Sequence, residues 1–145
     1  MGIYKHIEDV PPRSRLERFD SRYKQTDVWV AFASTRNSEF DSAHYAATIR
    51  KAGSSFKLHM RDRGRHHALA HPADIESWLV ELAETRTLNT VYSEYWVRIE
   101  EFYRWLQRHS AHPHVYNPAW MAAASYPTAD AMWKRKMRHQ TAGEE

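Results

Sequence analysis

Histidine is the first residue type in this chain that invites chemistry. Ten are present and cysteine is absent. Two groups crowd together, His66, His67 and His71, then His109, His112 and His114. Zinc takes three or four convergent ligands, usually with a carboxylate or thiolate among them. Pro72 and Pro113 break the helical spacing that would align either group on one face. The sequence therefore predicts no metal site and no cofactor, with the imidazoles expected beside phosphate or solvent. Without cysteine there are no disulfides, thiolate nucleophiles or Cys-type zinc sites. Tyr92, Tyr95, Tyr103, Tyr116 and Tyr126 fall in or beside apolar helical segments, without the arginine and histidine set that would stabilise a reacting phosphate. They read as structure, and no catalytic residue is assigned.

Cations and short polar side chains in helical register are the remaining chemistry. DNA binding needs cations over phosphates and short polar groups near base edges. One stretch sets His44, Thr48, Lys51 and Ser55 opposite an apolar seam. Another opens with Thr87, Asn89, Thr90 and Ser93, just after Arg86, where free helix N–H groups favour a phosphate. The same residues also suit a solvated face, with Thr87 or Asn89 as a helix cap. Glu94, Glu100 and Glu101 limit how much of that helix can approach a polyanion. The densest basic stretch is Lys57 followed by Arg61, Arg63, Arg65, His66 and His67. It fits a backbone clamp, and equally a helix C-terminus decorated with cations around Gly64. Lys134–Arg138 carries the same two readings, tilted toward the helix end.

The elements that must position these groups are helical. Glycine is scarce, and the prolines at 11, 12, 72, 113, 118 and 127 spare the long periodic segments. A first helix spans 14–35, or two shorter ones if Thr26 caps a fresh start before Asp27, with Thr35–Ser38 as connector. A second spans 42–61, its seam Tyr45, Ile49, Ala52, Phe56 and either His59 or Met60. Gly53 inside it permits close packing at about 1 kcal/mol of helix propensity. A third has Pro72 near its first turn and Ile75, Trp78, Leu79 and Leu82 on its buried face. The fourth, 89–109, repeats Val91, Tyr95, Ile99, Phe102 and Leu106, widened by Trp96, Tyr103 and Trp105. A loop over 112–118 precedes a short last helix capped by Thr128, and residues 141–145 should fray.

The order and wording of these helices resemble the N-terminal core-binding, SAM-like domain of tyrosine recombinases, the phage integrase family. The match begins near Phe40 and runs to about Met137. It rests on His44-Tyr45 with Phe56 and Met60, on Pro72-Ala73-Asp74-Ile75-Glu76-Ser77-Trp78-Leu79 with Leu82, on Leu88-Asn89-Thr90 with Ile99 and Phe102-Tyr103-Arg104-Trp105-Leu106, and on Asn117-Pro118. The resemblance implies an all-α bundle of four to five helices over 41–139, forming half of a clamp around double-stranded DNA. Residues 1–40 become a partly helical extension and 140–145 a tail. It implies that the first and third core helices face the major groove and that the last can dock on another recombinase protomer. Strand exchange in that family belongs to a separate domain carrying an Arg, a His-x-x-Arg and a nucleophilic Tyr. No His-x-x-Arg occurs here, and the stretch after Asn117-Pro118 is too short for that domain.

Composition sets the remaining bounds. With 145 residues, 42% hydrophobic and 13% aromatic, a packed core is affordable and whole-chain disorder is excluded. Twenty-one Lys and Arg against 18 Asp and Glu give +3, too little for a general polyanion sponge. The start lacks an apolar signal region, His6 stands where a myristoylation signal after Gly2 wants Ser or Thr, and no run could span a membrane. A soluble, cytoplasmic DNA-binding module without a small-molecule substrate is expected, serving site recognition in DNA integration and recombination. Standing alone, such a module would compete for core sites as a recombination regulator. The competing expectation is a helical protein-interaction module with weakened DNA affinity, which the near-neutral charge keeps open.

Overall fold

In the computed structural model, residues 4–39 and 42–144 are described, with side chains to residue 140. Gly2, Phe40 and Glu145, on which parts of the sequence reading fall, lie outside them. Every regular element among the described residues is helical. Three short 3₁₀ turns lead into α1 (Asp20–Tyr23) and α2 (Val28–Glu39). Then come α3 (Ala43–Asp62), α4 (Pro72–Ala83), α5 (88–108), α6 (Pro118–Ser125) and α7 (Pro127–Glu144). The all-α expectation holds.

Helix α5 is the axis of the bundle. Along it Val91, Tyr95, Ile99, Phe102 and Leu106 are buried, as their spacing predicts, and so are Tyr92, Trp96, Glu100 and Tyr103. Its stretch Val91–Trp96 takes wider turns with i→i+5 bonding. That widening rotates the side chains before it relative to those after it. The helix thereby presents apolar surface to α2, α3, α4, α6 and α7 in turn.

The segment from Val10 to Phe32 is built into the same core. Leu16, Tyr23, Val28, Trp29 and Phe32 are all buried in it. The backbone N–H of Leu16 donates to the Tyr116 hydroxyl at 2.9 Å, and the Arg22 guanidinium donates to the Ala111 carbonyl. Two helices rather than one occupy 20–39, because Gln25 adopts φ 61° between them. The cap of α2 is Asp27 and not Thr26: its carboxylate accepts from the Val30 N–H at 3.2 Å. A second acceptor comes from far along the chain, where His67 Nε2 takes the N–H groups of Val28 and Trp29 at 3.1 and 3.3 Å. Helix α2 also runs through Thr35–Ser38, expected as a connector.

Helix α3 begins at the Ser42 cap and buries Ile49, Ala52, Phe56 and Met60, with His59 beside them. At Gly53 a side chain of α2 packs directly on the α3 backbone. The Trp29 indole lies across it and donates Nε1–H to the Ile49 carbonyl at 3.1 Å. A methyl group at position 53 would collide with Nε1, Cδ1 and Cε2 of that ring.

The end of the chain differs from the sequence reading. Pro118–Ser125 is helical, capped by Asn117, whose Oδ1 accepts from the Ala119 N–H at 3.0 Å. Helix α7 is not capped by Thr128. The Glu76 carboxylate of α4 reaches across to accept from the N–H groups of Thr128 and Ala129 at 3.1 and 2.9 Å. The helix then continues to Glu144, through most of the segment expected to fray.

Two outcomes are expected. Gly53→Ala should destabilise the protein in urea unfolding by about 1–3 kcal/mol, since overpacking outweighs the gain in helix propensity; an unchanged or raised midpoint would show that the indole can move aside. The second concerns acid. Burial pushes His67 down to about 3 and His114 to about 4, with His66 and His112 as the next influences on them respectively after the Ala68 carbonyl that supports His114. In the unfolded chain each binds a proton near pH 6.5. Their neutral forms therefore stabilise the fold fully above that pH, and the contribution falls as pH drops from 6.5 toward those values. Unfolding free energy should decline by up to about 1.4 kcal/mol per pH unit for each, where a flat profile from pH 7 to 5 would contradict the burial.

Candidate nucleic-acid interface

The structure divides the sequence-assigned residues into two sets. On α3, His44 and Lys51 are exposed. Thr48 is not: it is 8% exposed, and its hydroxyl donates to the Tyr45 carbonyl at 2.8 Å. Ser55 is half-buried because its hydroxyl accepts the Trp78 Nε1–H at 3.0 Å, tying α3 to α4. A four-residue polar stripe on a helix wheel reveals neither contact, since one turns back onto the helix's own backbone and the other comes from α4.

At the start of α5, Thr87 is the N-cap, its hydroxyl oxygen accepting from the Thr90 N–H at 3.2 Å. The Thr87 hydroxyl also meets that of Thr90 at 3.2 Å, and Ser93 donates to the Asn89 carbonyl at 2.9 Å. Asn89 and Ser93 are exposed, and Thr90 is half-buried. Arg86 lies over the Tyr95 ring at 5.1 Å, and Lys51 lies over the same ring at 5.4 Å. Lys51 is also ion-paired with Glu94. One tyrosine thus joins the α3 and α5 halves of the predicted surface into a single face.

The basic loop is where the two sequence readings part. Helix α3 closes with Gly64 at φ 75°; its N–H donates to the Arg61 carbonyl, and the Arg65 N–H donates back to that of Met60, both at 3.0 Å. This is the glycine-terminated helix end. The cations around it are not loose. Asp74, with no exposed surface, accepts from Arg63 Nε at 2.5 Å, Arg65 Nη1 at 2.7 Å and the His71 N–H at 2.8 Å. Burial would raise that carboxyl, but the Arg65 bond, the His71 N–H and the Arg63 bond together hold it below the ordinary carboxylate range. Arg63 and Arg65 therefore serve a buried carboxylate first, each remaining 39% exposed. Arg61 stays exposed.

Histidines fill structural roles. His71 caps α4 through Nδ1, which accepts from the Ala73 N–H at 3.0 Å. His66 Nε2 reaches the Thr26 carbonyl at 2.6 Å while its Nδ1 accepts from Ala68 N–H at 2.9 Å. His112 Nδ1 is 2.7 Å from the Tyr23 hydroxyl. Among the described residues, no group of three or more His, Asp or Glu is arranged to hold a metal ion. Tyr103 is fully buried, donating to the His67 carbonyl and accepting from Ala70 N–H at 2.7 and 3.0 Å. Burial pushes Tyr116 up to about 12. No helix among the described residues is long and apolar enough to cross a membrane.

Sequence reasoning missed three features of this surface. Arg50 belongs to the exposed side of α3, and the α2–α3 groove runs beside it. On the opposite side of α5, buried Glu100 pairs with Lys136 and accepts from Trp120 Nε1 at 2.9 Å, so one cation of the last basic cluster is committed. The helical period could have found Arg50; nothing local marks the Lys136 pair.

Comparison with protein-family models, curated proteins and solved structures yields no significant match to this chain.

Asp74→Ala should lower stability by about 3 kcal/mol, as expected when one side of a buried charged cluster is removed. A loss below about 0.5 kcal/mol in urea unfolding would mean that the two arginines are held by other means.

Proposed function

We propose that this protein is a duplex-DNA-binding helical module of the recombinase core-binding type, serving site recognition in DNA integration and recombination, with no chemistry of its own in this stretch of chain. The observation that carries the reading is the single face made by α3 and the start of α5. Lys51 and Arg86 meet there over Tyr95, next to exposed His44, Asn89 and Ser93. Cations supply phosphate affinity and the short polar groups suit base edges. The all-helical bundle and the Asn117-Pro118 helix start agree with the resemblance drawn from the sequence.

The pairing of Lys51 with Glu94 favours a second reading, a protein-interaction module, because it reduces the charge offered to phosphate. The two readings separate on salt. Fluorescence anisotropy of a labelled duplex should show association whose log–log salt slope steepens by about 0.9 for each phosphate neutralised. Arg86→Gln should reduce that slope by about one contact without changing the melting temperature. Arg63 is a poor probe, since its loss also strips Asp74. Absence of duplex binding at low salt would overturn the DNA reading and leave the protein-partner one.

A further inference from the structure

We propose that the groove between α2 and α3 is a second phosphate-backbone site, which holds one strand of the bound duplex. It rests on the DNA reading above and adds a surface to it. Arg50, Ser54, Lys57 and Arg61 follow one another at four, three and four residues, which makes one stripe along α3. Eleven residues of helix extend about 16 Å, the axial length of about five phosphates on one strand. The groove beside Arg50, Ser54 and Lys57 has a volume of about 240 Å³; its α2 wall is Trp29, Val30, Ala33, Ser34 and Asn37. It continues past Lys57 into a second depression of about 320 Å³, bordered by Arg61, Arg65 and the backbone start of α2.

Charge decides which edge of α3 meets phosphate. The edge assigned from the sequence is largely committed: Lys51 to Glu94, Thr48 to its own backbone and Ser55 to Trp78. The stripe facing α2 lies roughly 110° around the helix from it. There Arg50 and Arg61 are exposed, and neither side chain has an ion pair or hydrogen-bond partner among the described residues. Lys57 is paired with Asp27 at 2.8 Å, the one carboxylate lining either depression. With Arg65 committed to Asp74, the three cations Arg50, Lys57 and Arg61 against Asp27 leave this groove an excess of +2, most of the +3 carried by the whole chain. A backbone with one charge per nucleotide matches such a stripe better than any single anion would. Ser34, Asn37 and Ser54 add neutral donors that can reach phosphate oxygens without reading sequence.

The experiment is a titration of the ¹⁵N-labelled full chain with a 12-base-pair duplex at low salt. Amide signals of Ser34, Asn37 and Ser54, and the Nε–H signals of Arg50 and Arg61, should shift together with those of residues 86–93. Shifts confined to residues 86–93 would overturn the groove and leave the DNA reading standing; no shift anywhere would overturn both. Arg50→Gln combined with Arg61→Gln should weaken binding at low salt and flatten its salt dependence, the affinity falling about threefold less per lost contact for each fourfold rise in salt. Lys134→Gln, an exposed cation on α7, serves as the charge control and should leave the slope alone. Equal effects of the two variants would overturn the groove as a defined site.

Discussion

A buried carboxylate determines what the basic surface of this protein can do. Asp74 sits with no exposed area at the first turn of α4, and a lone charge there would be untenable. It is tolerated because Arg63, Arg65 and the His71 N–H surround it. Those partners come from the loop that ends α3, so the pairing fixes how α3 turns into α4. It also places the 66–71 segment, and that placement propagates. His67 is then in position to cap α2, and the His67 carbonyl and Ala70 N–H are in position for the Tyr103 hydroxyl of α5. One acid thus connects four helices through hydrogen bonds and takes two arginines out of the free cation pool.

Periodicity made much of the fold legible. The seams of α3, α4 and α5 needed only the 3.6-residue repeat of large apolar side chains, and each is buried where the spacing puts it except at Tyr45, which is half-buried at the start of α3. What escaped depends on partners distant in sequence. Helix α6, Pro-Ala-Trp-Met-Ala-Ala-Ala-Ser, is short and rich in alanine, so no stripe stands out; it exists because Asn117 caps it and because it packs between α4 and α7. The start of α7 uses a carboxylate from α4, and the start of α2 uses an imidazole 39 residues away. Local capping rules name Thr128 and Thr26 at those places; the Glu76 carboxylate displaces the first, and Asp27 together with distant His67 displaces the second.

The site was less legible than the fold for the same reason. A sequence shows which charges share a helix face, but not which are neutralised from another helix. Lys51, Arg63, Arg65 and Lys136 all look available on a wheel, yet each has a carboxylate within ion-pair distance. Of the loop arginines only Arg61 keeps its charge unshared among the described residues, and Arg50, which the polar-face reading passed over, does the same. For a chain of +3 this sorting matters more than the total. A weak net field means that any phosphate contact must come from a few unpaired cations held in register, not from diffuse attraction.

The histidines close the argument about chemistry. Their clustering in sequence suggests ligands, but in the fold His66, His67, His71, His112 and His114 act as hydrogen-bonding groups of the bundle itself. His67 accepts two backbone N–H groups at a helix start, His71 accepts one at another, and His114 donates to the Ala68 carbonyl. Each of the acceptor roles requires a free ring lone pair, which a proton or a metal ion would take. Burial lowers the basicity of His66, His67, His112 and His114 alike, so the neutral form these bonds need is also the form the environment favours. With the imidazoles engaged in this way, the proposed recognition rests on the exposed cations and short polar side chains of α2, α3 and the start of α5.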